Sequence, residues 1–407
     1  MWWGYTISNF GQQLTVVAVG LQVYDLTGST FSVGVLGLCA LLPLVVFGLY
    51  GGAIVDRHDR RLVALASGVV TWVVTLALAV QAWLGVSSVG LLFLLVALQS
   101  GAAAVNAPAR SAIVPRLLEP RLLPSANALQ TTGMNLAFTL GPLAGAGLVA
   151  LLDYAVVYTA DALLFTAALS ALLRLPAIPP ELSGGPRLSG LRSVIEGLRY
   201  LGTQPNVRMT FAVDLVAMIT SSPRVLFPAV GVVYLGGGAT TTGIITAASA
   251  VGSVLAGVFS GALTRIRWQG RIIVVAIAVW GVAIAGFGVV LVAVGRTTPD
   301  HLLVLGLVFA VLMLMAAGAG DAVSAVFRAT ILQTATPDEM RGRLQGVFIV
   351  VVAGGPRLGE LWLGAASERI GEGWAAVIGG VLCVLLLWLL VRAQRSFWRY
   401  DALHPVP

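Results

Sequence analysis

Apolar residues in this chain come in long runs, each closed by a short polar or charged link. They follow neither the alternation of a strand nor the single stripe of a soluble amphipathic helix. A helix of about 20 residues crosses the hydrocarbon core of a bilayer. Windows of that length place spans at 3–26, 31–55, 62–84, 88–108, 123–152 and 155–175, then at 209–235, 242–263, 272–294, 302–326, 344–367 and 374–391. Peptide groups in lipid must bond within their own segment, so each run is expected as a helix. The pattern predicts an all-α polytopic membrane protein with twelve transmembrane helices in two pseudo-symmetric six-helix bundles. The bundles are set at 1–175 and 209–393. Between them lies a cytoplasmic linker, 176–208, with a short amphipathic helix, and 394–407 forms a cytoplasmic tail.

Composition agrees. Of 407 residues 58% are hydrophobic and only 10% charged, where about a quarter is usual in a soluble domain; mean hydropathy is +0.95. The net charge is +7, and every basic side chain is arginine. A basic chain can bind nucleic acid, but here the arginines gather in alternate links, from Arg57, Arg60 and Arg61 through Arg110, Arg116 and Arg121 to Arg392 and Arg395. That asymmetry puts both termini and the linker in the cytoplasm and excludes a nucleic-acid partner. Met1 leads straight into the first span, without the basic start and small-residue cleavage site of a signal peptide. Cys39 and Cys383 both fall within spans, as small apolar fillers. His58, His301 and His404 lack metal-ligand spacing, and the chain has no Gly-rich phosphate loop ending in Lys. Neither a metal, a cofactor nor an enzyme is expected.

Polar residues inside the spans are the candidate chemistry. Asn9, Gln12 and Gln13 share one side of the first span, with Ser8, Thr15 and Gln22 nearby. They line a substrate cavity or serve as interhelical glue. Six charges lie within spans: Asp161, Asp214, Arg224, Asp321, Arg357 and Glu360. Arg357 and Glu360 are three apart and can pair on one face. A carboxyl in a low-dielectric setting can load a proton near neutral pH, so these acids are candidate proton carriers. Static ion pairing is the other reading. In the linker, Leu191, Val194, Ile195, Leu198 and Leu201 recur at helical spacing with Arg192, Glu196 and Arg199 between them, which describes a surface-lying helix.

Several motifs carry a resemblance. The link after the second span reads Gly52-x-x-x-Asp56-Arg57-x-x-Arg60-Arg61 and resembles the loop between helices two and three of the major facilitator superfamily. Asp59 stands where that family usually has Gly. The resemblance implies the major facilitator fold and a gating latch. Asp56 would face a helix N-terminus, and the arginines would pair with acids in one conformation only. A solvated charged turn is the alternative. Asn106-Ala-Pro-Ala-Arg-Ser-Ala-Ile-Val-Pro115, Leu123-Pro-Ser-Ala-Asn-Ala-Leu-Gln130 and Glu196-Gly-Leu-Arg-Tyr-Leu resemble the branch of enterobactin and macrolide exporters. Arg110 is set at the cytoplasmic end of the fourth span, within reach of lipid phosphates. Gly141-Pro142-x-x-Gly145 resembles the fifth-helix signature of drug–proton antiporters, with Ala137 and Ala146 replacing two of its glycines.

The halves also repeat. Arg110-Ser-Ala-Ile-Val matches Arg328-Ala-Thr-Ile-Leu, and Gly141-Pro142-x-x-Gly145 matches Gly355-Pro356-x-x-Gly359. Gly261, Arg265, Arg267, Gly270 and Arg271 form a degraded copy of the charged hairpin. Duplicated halves are the basis of alternating access. The resemblance implies a monomeric secondary transporter of the bacterial inner (plasma) membrane. Its partners would be the lipid bilayer, protons and a small amphipathic substrate (siderophore, antibiotic or metabolite) exported by proton antiport. An importer or facilitated-diffusion carrier, or a membrane sensor that transports nothing, are the alternatives.

Overall fold

Among residues 2–179, 190–259 and 266–403, which a computed structural model describes, helices are the regular elements and no strand occurs. The 183–186 stretch, Gly261, Arg265 and His404 lie outside the described residues, as do the side chains of Gly52 and Asp56. The chain divides into two units: Met1–Gly28 with Leu36–Arg192, and Ser29–Val35 with Ser193–Pro407.

The first unit is built from α1 (Trp2–Thr27), α2 (Thr30–Arg57), α3 (Arg60–Trp83), α4 (Val89–Leu117), α5 (Leu123–Leu151) and α6 (Tyr154–Leu173). Then comes α7 (Gly190–Thr203), on which Leu191, Ile195 and Leu198 are exposed while Val194 and Leu201 are buried. An uncovered apolar stripe on a short helix suits the membrane interface. The second unit holds α8 (Pro205–Ser221), the single turn α9 (Phe227–Ala229), α10 (Gly238–Phe259), α11 (Gln269–Val294), α12 (Val304–Thr334), α13 (Asp338–Ile370), α14 (Glu372–Ala393) and the short α15 (Arg395–Trp398).

Ten of these segments are long and apolar enough to cross a membrane on composition alone. Helices α1 and α13 are also long, at 26 and 33 residues, but carry more polar side chains. The seventh span departs from the expected continuous helix. It stops at Ser221, and Ser222 is extended (φ −78, ψ 102). Pro223 is the cause, because a proline clashes with helical backbone in the residue before it. A 3₁₀ turn (Pro223–Leu226), α9 and a π turn (Val230–Tyr234) then carry the chain on. Gly236, Gly237 and Gly238, all at positive φ, make the turn into α10; only glycine adopts that backbone without strain.

The packing order repeats. In the first unit α1 lies on α5 and α6, and α3 on α4 and α6; in the second, α8 lies on α13 and α14, and α11 on α12 and α14. The Gly-Pro-x-x-Gly segments make the matching seams. A Cβ at Gly145 would lie 2.9 Å from Leu14 Cα on α1, and one at Gly359 would strike the Met218 carbonyl on α8. Small residues let membrane helices approach this closely. Pro142 and Pro356 both sit inside continuous helices.

Candidate functional site

One face of α1 carries the polar core of the first unit. Ser8, Thr15 and Gln22, seven residues apart, are all buried, and that spacing keeps them on one side of a helix. Toward the C-terminal end of α1 the Tyr158 hydroxyl donates to Gln22 Oε1 (2.7 Å), which also accepts from Gln81 Nε2 (3.2 Å). Gln22 and Gln81 line a cavity of about 160 Å³ together with Asp153 and Tyr154. Farther along, Thr15 Oγ1 donates to Asp161 Oδ2 (2.6 Å). Asp161 is 1% exposed, and its Oδ1 has no hydrogen-bond partner among the described residues. Gly11 makes the room, since a Cβ there would strike that oxygen. At Ser8 the polar face meets Arg110 of α4, whose Nη1 donates to Ser8 Oγ at 3.4 Å. Arg110 is 7% exposed, and its Nε and Nη2 are buried without hydrogen-bond partners among the described residues. It therefore does not reach out to lipid phosphates, contrary to its expected place at a helix end: α4 runs on to Leu117.

The amides of α1 divide. Asn9 Nδ2 donates to its own helix at Tyr5 O (2.8 Å), Gln13 packs against Gly141 of α5, and Gln12 is half-buried. Besides the Gln22 contacts to α3 and α6, an amide joins α3 and α4, where Asn106 Nδ2 donates to Ser67 Oγ and Ala64 O, each at 2.9 Å.

In the charged hairpin, Asp59 caps α3. Its Oδ1 accepts from the Arg61 and Leu62 amides (2.8 and 3.2 Å), and Oδ2 accepts from the Ile178 amide (3.0 Å). Arg61 Nη2 donates to Leu173 O at the end of α6 (2.7 Å), where the helix dipole favours a cation. Arg57 is exposed and Arg60 half-buried. Among the described residues Arg61 thus holds a helix end within the first unit, and Arg60 Nη1 lies 3.5 Å from the Ala112 carbonyl of α4. In the degraded copy, Arg267 grips Asp401 with Nε and Nη2 (3.0 and 2.7 Å), and this hydrogen-bonded partner raises the guanidinium's pKa.

In the second unit Arg328 of α12 is buried and forms an ion pair with Asp214 of α8; its Nη2 lies 3.6 Å from Asp321 Oδ1. Arg357 Nη1 meets Glu360 Oε2 at 3.0 Å. Arg224 is exposed on the 3₁₀ turn after α8. Glu372, not singled out from sequence because it lies at a span edge, is buried and accepts from Thr30 Oγ1 and Tyr234 OH (both 2.9 Å). The structure thus joins Asp214 to Asp321 through Arg328, joins Arg357 to Glu360, and leaves Asp161 with a hydroxyl alone. Arg328 was legible only through the internal repeat, which matches it to Arg110.

The family model described as transmembrane secretion effector, a division of the major facilitator superfamily, matches residues 1–405. The chain belongs to this family. The enterobactin exporter EntS of Citrobacter koseri is 28% identical over 394 residues, covering 96% of this chain and 91% of the relative. EntS of Shigella boydii serotype 18 is 28% identical over 393 residues, covering 96% and 90%. Among solved structures, the nucleoside transporter NupG superposes with a TM-score of 0.71 at 14% identity, covering 98% of this chain and 99% of that one. The protein has the twelve-helix major facilitator fold. It is a multi-pass membrane transporter of small molecules and not an enzyme.

Proposed function

We propose that this transporter exports a small amphipathic compound (siderophore, antibiotic or metabolite) from the cytoplasm by proton antiport. It would work by alternating access, in a bacterial inner membrane, as a monomer with both termini cytoplasmic. The similarity to the enterobactin exporters supports the direction. Asp161 carries the proton reading: it is a fully buried carboxyl with no cation beside it among the described residues, and one oxygen is free. A lone carboxylate within a membrane span is costly, and a proton removes that cost. Asp214, Asp321 and Glu360 each lie near an arginine, which offsets their charge directly. Gln22, at the wall of the outer cavity, accepts from Tyr158, one turn from Asp161 on α6, and this hydrogen bond extends the polar chain from the cavity toward the acid. Gly52, Asp56, Arg57, Arg60 and Arg61 serve in this reading as the gating latch, and the glycine seam of α5 at Gly141, Pro142 and Gly145 permits α1 to shift.

The test is proteoliposomes holding a pH gradient and challenged with siderophores, macrolides and lipophilic cations. One class of compound is expected to trigger proton movement, which Asp161→Asn abolishes while binding persists. Compound flux that ignores the gradient overturns the antiport reading, and an unchanged proton response in Asp161→Asn overturns Asp161 as its proton carrier.

A further inference from the structure

The repeat that pairs Arg110 with Arg328 does not repeat their surroundings. Arg328 faces two acids, Asp214 on α8 and Asp321 seven residues earlier on its own helix. Seven residues before Arg110 stands Ala103, and the α1 side chain that meets Arg110 is Ser8. One hydroxyl at 3.4 Å does not offset a buried guanidinium, which carries five donors and cannot shed its charge at any accessible pH. Burying such a charge without a counter-ion is strongly unfavourable.

The unpartnered atoms are also the right ones. Nε and Nη2 lie on one edge of the guanidinium and donate in parallel, the geometry that grips a two-oxygen anion. Arg267 uses these same two atoms on Asp401 in this chain. On Arg110 the edge is bare, while Nη1 is already held by Ser8.

We propose that Arg110 is the binding point for an acidic group, a carboxylate or phosphate, on the compound this protein moves. The assignment rests on the transport reading above. Asp214 and Asp321 supply that counter-charge permanently to Arg328, whereas the first unit leaves it to the ligand. Ser8 orients the guanidinium by holding Nη1. The ligand's two oxygens complete the fork at Nε and Nη2.

The test uses the purified full chain in neutral, lipid-free detergent, with benzoate and benzamide as probes of equal shape and different charge. Thermal unfolding is followed during titration. Benzoate is expected to stabilise the wild type at concentrations at least tenfold lower than benzamide. Ser8→Asp installs a built-in carboxylate, and it is expected to raise the unfolding midpoint of the ligand-free protein and to erase the preference for benzoate. Arg110→Gln is expected to erase the preference, and Arg110→Lys to keep part of it. Equal shifts from the two probes, no shift from either, or a lowered midpoint in Ser8→Asp each overturn the assignment. So does stabilisation by phosphatidylglycerol in place of benzoate, since the anion would then be a lipid headgroup. No gradient enters this measurement. Absence of the charge preference in the wild type therefore sinks the Arg110 assignment alone, and absent proton coupling with that preference intact sinks antiport alone.

Discussion

Removing either member of the Arg328–Asp214 pair is expected to destabilise the second unit, but unequally. Both side chains are about nine-tenths buried or more. Truncating one partner of such a pair typically costs about 3–5 kcal/mol, because the survivor stays behind as an uncompensated charge. In Asp214→Asn the arginine keeps Asp321 at 3.6 Å, which places the loss at the lower end, about 3 kcal/mol. In Arg328→Gln two carboxyls are left near each other. They can take up protons, whereas a guanidinium cannot give one away. The Arg328→Gln deficit should therefore shrink between pH 8 and pH 5 and the Asp214→Asn deficit should not. The double variant leaves Asp321 with Arg224 as its remaining charged neighbour and should fall well short of the sum of the singles, by about 2 kcal/mol. Thermal or denaturant unfolding of the purified protein in micelles, compared across the four proteins at both pH values, reads all of this. Additive losses, or a pH-independent deficit in Arg328→Gln, would refute the buried-pair account.

Two further substitutions probe the first unit. Gly145→Ala puts a methyl 2.9 Å from Leu14 Cα and 3.0 Å from its carbonyl, both rigid backbone, whereas Gly147 has nothing within 4 Å. The first should cost about 1–3 kcal/mol by overpacking, and Gly147→Ala should be neutral or slightly stabilising; equal effects would disprove the seam. Asp59→Ala removes the cap of α3 and the acceptor of the Ile178 amide. A loss of about 1–2 kcal/mol and faster hydrogen exchange at Ile178 are expected; Asp59→Asn, with one acceptor oxygen in place of two, should keep the cap and still lose the Ile178 contact, and an unchanged Ile178 exchange rate would count against that contact.

The bilayer-length runs were legible because lipid leaves a helix no alternative, and length alone counts the spans. Their ends were not. A hydropathy window closes at the first charge, which set the fourth span at 88–108 and the tenth at 302–326, yet α4 runs to Leu117 and α12 to Thr334. Arg110 and Arg328 therefore sit about two turns inside their helices, where they meet α1 and α8 rather than water. The break of α8 did have a local signal in Ser222-Pro223. The partners of the buried charges had none. Thr15 with Asp161, and Asp214 with Arg328, lie more than a hundred positions apart, and one sequence does not say which faces meet. The cap at Asp59 was hidden by its departure from the family's glycine, though Asp followed by Arg-Arg-Leu at a helix start is itself a capping pattern.

A duplicated fold does not oblige its halves to share a chemistry. The seams that set helix spacing are common to both units, with Gly145 on Leu14 and Gly359 on Met218, and they involve backbone and small residues that tolerate little change. Charge balance is set by a few side chains pointing into the space those seams define, and it is free to drift. In the second unit the acids near Arg328, Arg357 and Arg267 are supplied by the chain itself. The first unit holds a buried cation at Arg110 and a buried acid at Asp161, each tied to α1 through a single hydroxyl, at Ser8 and Thr15. Those hydroxyls are seven residues apart, about 10 Å along the helix, so the two charges do not neutralise each other by contact. Any movement of α1 along its seam with α5 disturbs both at once. That shared dependence on one helix is a physical route by which an anion arriving at Arg110 and a proton leaving Asp161 can be coupled without touching.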